Sequence, residues 1–125
     1  MGARQRRGAW TEFHVNAPVN HAPVATAADF TATHNQNIAA ASLFSVTDAD
    51  SDPIAAYQLW DSTADASSGH WIVGGVAQGV NVAIDVSAPQ LSSTTFQSGT
   101  VSDDLWVRAN DGFTWGAWTE FHLLT

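Results

Sequence analysis

Three aspartates lie close together in the segment TDADSDP, at Asp48, Asp50 and Asp52. Carboxylates at this spacing repel one another, and Ca²⁺ relieves such repulsion because it collects six to eight oxygen ligands at about 2.3–2.6 Å. The segment begins like an EF-hand loop, but Pro53 stands where that loop needs glycine and Leu59 where it needs glutamate. Two interpretations stay open: a calcium site, or an aspartate-rich turn whose side chains bond their own backbone.

Six tryptophans are a high number for 125 residues. Exposed indole rings can stack on sugar rings and offer an N–H to them, whereas buried ones would fill the core of a small domain. Side-chain alternation along 105–109 places Trp106 outside the core face, and alternation in the closing strand does the same for Trp118. The side taken by Trp115 is ambiguous. The candidate carbohydrate-binding residues are therefore Trp106, Trp115 and Trp118.

Other polar groups are weaker candidates. Glu120 and His122 lie two apart on one strand face and could supply two zinc ligands, but the sequence shows no third ligand. The carboxylate pairs 103–104 and 61/65 could in principle act as acid and base in glycoside hydrolysis. A chain with turns at every loop offers no evident cleft for such a reaction, and it carries no nucleophile or phosphate-binding motif. We therefore do not expect an enzyme.

These residues must be positioned by strands. Short runs of Val, Ile, Phe, Trp and Thr alternate with turn residues about every ten positions, which predicts an all-β fold: an antiparallel Greek-key β-sandwich of about seven to eight strands. The predicted strands are Val24–Thr26, Phe30–Thr33, Leu43–Val46, Ile54–Trp60, Trp71–Val76, Val80–Val86, Leu105–Ala109 and Phe113–Leu123.

Three local features add detail to this pattern. Asn110–Gly112 supplies residues that tolerate the left-handed conformation, so it predicts a tight hairpin before the closing strand. Gly116 between two tryptophans predicts a β-bulge. The segment SAPQLSS predicts a single helical turn, because Ser87 can cap it and Pro89 is tolerated in a first turn.

The heptapeptide GAWTEFH occurs twice, at 8–14 and at 116–122, which are 108 residues apart. That spacing matches one small domain and so indicates domains strung in tandem. Residues 1–7 are then a leader or an expression remnant, and residues 8–15 are the last strand of a preceding repeat. Residues 16–23 form a linker that contains Pro and Asn, and residues 24–125 form one repeat. Separated from its own sheet, the 8–14 strand could add to a neighbouring molecule and give a strand-swapped homodimer.

Composition narrows the possible partners. Twelve acidic residues against four basic ones give a net charge of −8. Outside the leader, Arg108 is the only lysine or arginine in the sequence. Nucleic acid would be repelled, so we expect no nucleic-acid partner. No stretch is apolar enough for membrane insertion. The absence of cysteine suits an extracellular, secreted or cell-surface protein that must avoid oxidative crosslinks.

A resemblance extends these inferences. NHAPV at 20–24, SVTDADSDPI at 45–54 and WVRANDG at 106–112 occur in an order that resembles the cadherin-like tandem repeats of large bacterial secreted and surface adhesins. The resemblance implies a Greek-key sandwich of the cadherin and immunoglobulin type, with Ca²⁺ held by Asp-rich loops. Asn20 matches the linker asparagine and 48–52 the Asp-rich loop. His21 departs from the pattern, since animal cadherin linkers have an aspartate there.

The resemblance and the residues together predict a non-enzymatic repeat that acts as spacer and as cell or matrix adhesion module, stiffened by Ca²⁺. Its partners would be neighbouring repeats and surface glycans or the polysaccharide of a biofilm matrix. Two alternatives remain. One is a carbohydrate-binding module that uses the exposed tryptophans, and the other is a purely structural repeat without metal.

Overall fold

The computed structural model describes residues 20–125. The predicted leader, the predicted strand 8–15 with its strand swap, and residues 16–19 of the predicted linker lie outside the described residues.

The described chain is all-β. It contains two short 3₁₀-helices, at Ala40–Ser42 and Pro89–Ser93, and eleven strands, more than predicted because several have only two to four residues. The strands are β1 (Val24–Ala27), β2 (Phe30–Thr31), β3 (Asn37–Ala39), β4 (Phe44–Thr47), β5 (Ala56–Asp61), β6 (His70–Val73), β7 (Val76–Ala77), β8 (Ile84–Ser87), β9 (Thr94–Gln97), β10 (Asp103–Asn110) and β11 (Thr119–Leu124).

The strands form two main sheets and a ribbon. The larger sheet has the order β2-β11-β10-β5-β8, and the smaller one β3-β9-β6-β7. β1 and β4 pair separately as an antiparallel ribbon. All pairings between strands are antiparallel except the short one between β11 and β2. Within each main sheet, therefore, nearly all the pairing is of the predicted antiparallel kind.

The core lies between the two sheets. Leu105, Val107 and Ala109 are fully buried, which confirms the alternation read from the sequence of β10. Trp71 of the smaller sheet is also fully buried and meets Phe121 of the larger sheet at 6.5 Å between ring centroids. This contact shows that the two inner faces pack directly, as in a sandwich.

Two strands, β3 and β9, were missed by the sequence pattern, and they have three and four residues. The predicted strand Trp71–Val76 wrongly joined β6 to the first residue of β7, although the chain turns between them at residues 74–75. The three short strands β3, β7 and β9 lie among Ser, Thr, Ala, Gly or Gln and bury at most two side chains each, so their apolar pattern is too short to stand out.

The prediction of one long strand over Phe113–Leu123 was wrong, since β11 begins only at Thr119. The predicted hairpin is present but wider than a two-residue turn, because an antiparallel bridge between Asn110 and Trp115 closes a four-residue connection, 111–114. Of the residues predicted to take the left-handed conformation, only Gly112 does so, with φ of 94°. The Asp111 side chain supports this connection, since its Oδ1 accepts hydrogen bonds from the backbone N–H of Phe113 and of Thr114, each at 2.9 Å.

The predicted helical turn is confirmed at Pro89–Ser93. The Gln90 backbone N–H donates to Ser87 Oγ at 3.3 Å, and the Ser87 N–H donates to Gln90 Oε1 at 2.9 Å. This reciprocal exchange is the arrangement of a capping box. Within residues 20–125, no helix has the length and apolar character that crossing a bilayer requires.

Candidate metal site and tryptophan groove

The Asp-rich loop follows β4 and is organised by Asp48. Asp48 Oδ1 accepts hydrogen bonds from the backbone N–H of Asp50 at 2.8 Å and of Asp52 at 3.3 Å, and the Ser51 N–H donates to the Asp48 carbonyl at 3.0 Å. Ser51 takes a left-handed conformation with φ of 59°. The loop is therefore the self-bonded aspartate turn that the sequence raised as one interpretation.

The same loop also gathers its carboxylates. Asp48, Asp50 and Asp52 each place one oxygen within 4.8 Å of the others. Asp48 Oδ2 is buried and receives no hydrogen bond from the described residues. Burial, followed by the charges of Asp48, Asp111 and Asp50, raises the pKa of Asp52. The turn thus leaves one buried oxygen without a donor beside repelling carboxylates, which fits a hard cation.

Asn20 joins this end of the sandwich through Asp111 rather than through the Asp-rich loop. Its Nδ2 donates to Asp111 Oδ2 at 2.9 Å, and Asp111 is 3% exposed. Burial opposes the ionisation of Asp111, but hydrogen bonds from Thr114, Asn20 and Phe113 outweigh it and lower the pKa. Asp111 was missed as a site residue, since ANDG was interpreted only as a turn. Its carboxylate adds negative charge beside the loop.

His21 occupies part of the ligand capacity of Asp50. The His21 backbone N–H donates to Asp50 Oδ2 at 2.6 Å, and its Nδ1 lies 3.1 Å from Asp50 Oδ1. These hydrogen bonds lower the pKa of Asp50. A cation at this loop would therefore share Asp50 with His21. An aspartate at position 21 would have added a ligand instead.

A groove lies on the outer face of the larger sheet and encloses about 260 Å³ between Trp60, Trp106 and Trp118. Trp60 and Trp106 are direct cross-strand partners on β5 and β10. Trp60 and Trp118 meet at 6.1 Å with an angle of 72° between their planes. The indoles therefore form the walls of a notch rather than a flat platform.

A polar row runs beside this groove. The Arg108 guanidinium lies 4.8 Å from the Trp115 ring and 4.6 Å from the Trp118 ring. Its Nε and Nη2 both donate to Gln58 Oε1, at 2.8 and 2.6 Å, and Gln58 Nε2 donates to Asp85 Oδ1 at 2.8 Å. These contacts fix the cation at the edge of an aromatic surface.

The structure brings two of the three predicted tryptophans into one groove. Trp106 and Trp118 line it, whereas Trp115 packs on Arg108 beside it. Trp60 completes the groove and was missed as a site residue. Its neighbours Leu59 and Asp61 are both buried, so simple alternation along the strand would have placed Trp60 on the outer face.

The structure supplies the third ligand that the sequence did not show for Glu120 and His122. Asp104 lies directly opposite His122 in the β10–β11 register, and all three side chains offer atoms within 4.8 Å of one another. Asp61 and Asp65 do not form a pair of carboxylates that could act together. Asp61 is fully buried and interacts with Asp103, whereas Asp65 is exposed.

Comparisons of the chain with protein-family models, with curated proteins and with solved structures found no match.

Proposed function

We propose that this chain is a non-enzymatic extracellular β-sandwich repeat that serves as spacer and adhesion module, with Ca²⁺ bound by Asp48, Asp50 and Asp52. The observation that carries the proposal is the cluster of their carboxylate oxygens within 4.8 Å, one of them buried without a donor among the described residues. Bound Ca²⁺ would screen the repulsion at this end of the sandwich.

The position of the loop supports a role at a domain junction. Asn20 and His21, which precede β1, contact Asp111 and Asp50, so the incoming chain is tied to the acidic end. A cation there would stiffen the approach of the chain to the sandwich. The cadherin-like resemblance supports the same role, with neighbouring repeats as partners.

We expect Ca²⁺ to raise the thermal midpoint of the full chain relative to the same protein in EDTA. At about 100 times the dissociation constant, one site contributes about 2.7 kcal/mol by linkage. Asp48→Asn should abolish the shift, because its retained Oδ1 still accepts the loop N–H groups while an NH₂ replaces the buried Oδ2. Differential scanning calorimetry with Ca²⁺, Mg²⁺ and EDTA measures the effect.

Asp85→Asn is the matched control, because Asp85 is an exposed aspartate on the outer sheet face and should leave the calcium response intact. His21→Ala should strengthen Ca²⁺ binding, since it frees Asp50 Oδ1. A wild-type midpoint that ignores Ca²⁺, or an Asp48→Asn protein that responds like wild type, would eliminate calcium and leave a metal-free structural repeat.

The tryptophan groove supports a second candidate function, the binding of a neutral glycan. Its volume lies just below the roughly 300–1,000 Å³ of usual ligand sites, which suits one sugar ring. Indole walls match the apolar C–H faces of a pyranose, and the fixed Arg108, Gln58 and Asp85 row offers polar groups for its hydroxyls.

We expect cellohexaose, xylohexaose or hexa-N-acetylchitohexaose to change the tryptophan fluorescence of the chain in EDTA, and Trp106→Ala to lower the affinity at least tenfold. Phe113→Ala is the control, since Phe113 is the most exposed large apolar side chain described, at 78%, and does not line the groove. If all three sugars leave the emission unchanged up to millimolar concentration, the groove is not a site for these glycans.

A further inference from the structure

A histidine and two carboxylates converge on the outer face of the larger sheet, away from the Asp-rich loop. Asp104 on β10 and His122 on β11 are direct cross-strand partners. Glu120 precedes His122 by two residues and therefore shares its face. The three side chains are between a third and a half exposed, so solvent ions can reach them.

The distances from His122 to the two carboxylates are those of metal ligands rather than of hydrogen-bond partners. His122 Nε2 lies 3.6 Å from Asp104 Oδ1 and 3.8 Å from Glu120 Oε2. Hydrogen bonds between such groups measure about 2.7–3.2 Å. A tetrahedral ion with bonds of about 2.0–2.2 Å holds its ligand atoms about 3.4 Å apart. A small inward movement of the side chains would complete that geometry.

The imidazole is oriented from behind by Asp29, in the connection between β1 and β2. Asp29 Oδ1 accepts the His122 backbone N–H at 2.9 Å and lies 3.2 Å from His122 Nδ1. Because an ionised carboxylate only accepts, Nδ1 carries the hydrogen and the lone pair of a neutral ring sits on Nε2, facing Asp104 and Glu120. Histidines that bind metals are commonly held by a carboxylate in this way.

The cluster carries negative charge that no lysine or arginine of the described residues neutralises. Asp104 Oδ1 is buried and receives no hydrogen bond within residues 20–125. Arg108, the only Lys or Arg in the described part of the chain, is bound to Gln58. No lysine or arginine in that part is therefore left to neutralise the cluster.

We propose that Asp104, Glu120 and His122 bind a divalent transition-metal ion of the Zn²⁺ class, with Asp29 as the residue that positions the imidazole. A nitrogen ligand favours such ions over Ca²⁺, whose sites are built from oxygens. Three protein ligands leave a coordination position open for water or for a group on another molecule. The ion would bridge β10 and β11, and the site is independent of the calcium proposal.

The test is isothermal titration of the full chain with ZnCl₂ in buffer that contains millimolar Ca²⁺ and no chelator. Wild type should bind Zn²⁺, His122→Ala and Glu120→Gln should each lower the affinity at least 100-fold, and Asp29→Asn should lower it about 10–100-fold. Titration with Co²⁺ should give the strong visible absorption bands of tetrahedral coordination. Urea unfolding in EDTA shows whether each variant folds.

His14→Ala is the matched control, because His14 holds the same place as His122 in the first copy of GAWTEFH. It should leave Zn²⁺ binding unchanged, since the proposal requires Asp104 and Asp29 in addition to the motif. No heat of binding in wild type would overturn the proposal. So would undiminished binding by His122→Ala, or by the exposed Glu120→Gln if the histidine variant fails to fold.

Discussion

Asp61→Asn is expected to stabilise the protein by several kcal/mol at pH 8–9 and to flatten the loss of stability that wild type shows between about pH 4 and pH 8. Asp61 and Asp103 are buried carboxyls, 0% and 2% exposed, and each has an Oδ2 without a partner among the described residues. Each Oδ1 is bonded, to the N–H of Thr63 and of Gly69 respectively. A proton on Asp61 can be donated to Asp103, with which the Asp61 side chain makes a hydrogen bond.

Burial raises the pKa of Asp61 from 3.8 to about 8, and interaction with Asp103 adds to the rise. Above its ordinary pKa the unfolded chain has lost this proton, while the folded chain keeps it. The stabilisation is therefore complete below about pH 4 and is lost as the pH rises to the folded-state pKa of about 8. The slope is about 1.4 kcal/mol per pH unit for one proton.

The asparagine removes this dependence because its Oδ1 can still accept from Thr63 while its Nδ2 donates to Asp103 at every pH. Urea unfolding from pH 5 to pH 9 in EDTA measures both proteins. Asp65→Asn is the control, since Asp65 is an exposed aspartate of the same loop. Parallel curves for wild type and Asp61→Asn would show that the pair shares no proton.

Asp29, Asp50 and Asp111 act at the other end of the pH scale. Hydrogen bonds lower the pKa of each of these carboxyls in the folded chain. Their stabilisation is present above pH 3.8 and is lost as the pH falls below that value through the lowered pKa. With Asp61 acting in the opposite sense, we expect the most stable fold in mildly acidic solution.

Gly116→Ala is expected to destabilise the fold by about 3 kcal/mol or more. A Cβ at Gly116 would overlap the backbone carbonyl of Pro23, which leads into β1. The Gly116 N–H also donates to the Ala109 carbonyl at 2.8 Å, so the backbone cannot move away without losing this bond. Gly116 lies in the predicted bulge, because residues 116–118 oppose residues 108–109 between the Asn110–Trp115 bridge and the Val107–Thr119 pair. It is also required for a close approach between two backbones.

Gly79→Ala is the matched control, because a Cβ there meets only Val82 Cγ2, at an ordinary 3.7 Å. We expect its urea midpoint to stay close to that of wild type. If Gly116→Ala were equally neutral, the packing of Pro23 against Gly116 would not be a constraint on the fold.

The alternation of apolar and polar residues along the strands let the sequence predict the fold class and the buried faces of several strands. The burial of Leu105, Val107 and Ala109 and the outward position of Trp106 follow from a period of two, which is set by the pleat alone. The three aspartates of the Asp-rich loop also meet as predicted, because they are two residues apart in one turn.

What the sequence alone determined about this protein is therefore its local order: strands, buried faces, the Asp-rich turn and the duplicated heptapeptide. The tertiary structure decided which distant groups meet. Asp104 faces His122, Asp61 meets Asp103, and Asn20 reaches Asp111 across 91 residues of chain, because strand order and register bring distant segments together. Register depends on loop lengths and on packing across the whole sheet, and no short stretch of sequence contains that information.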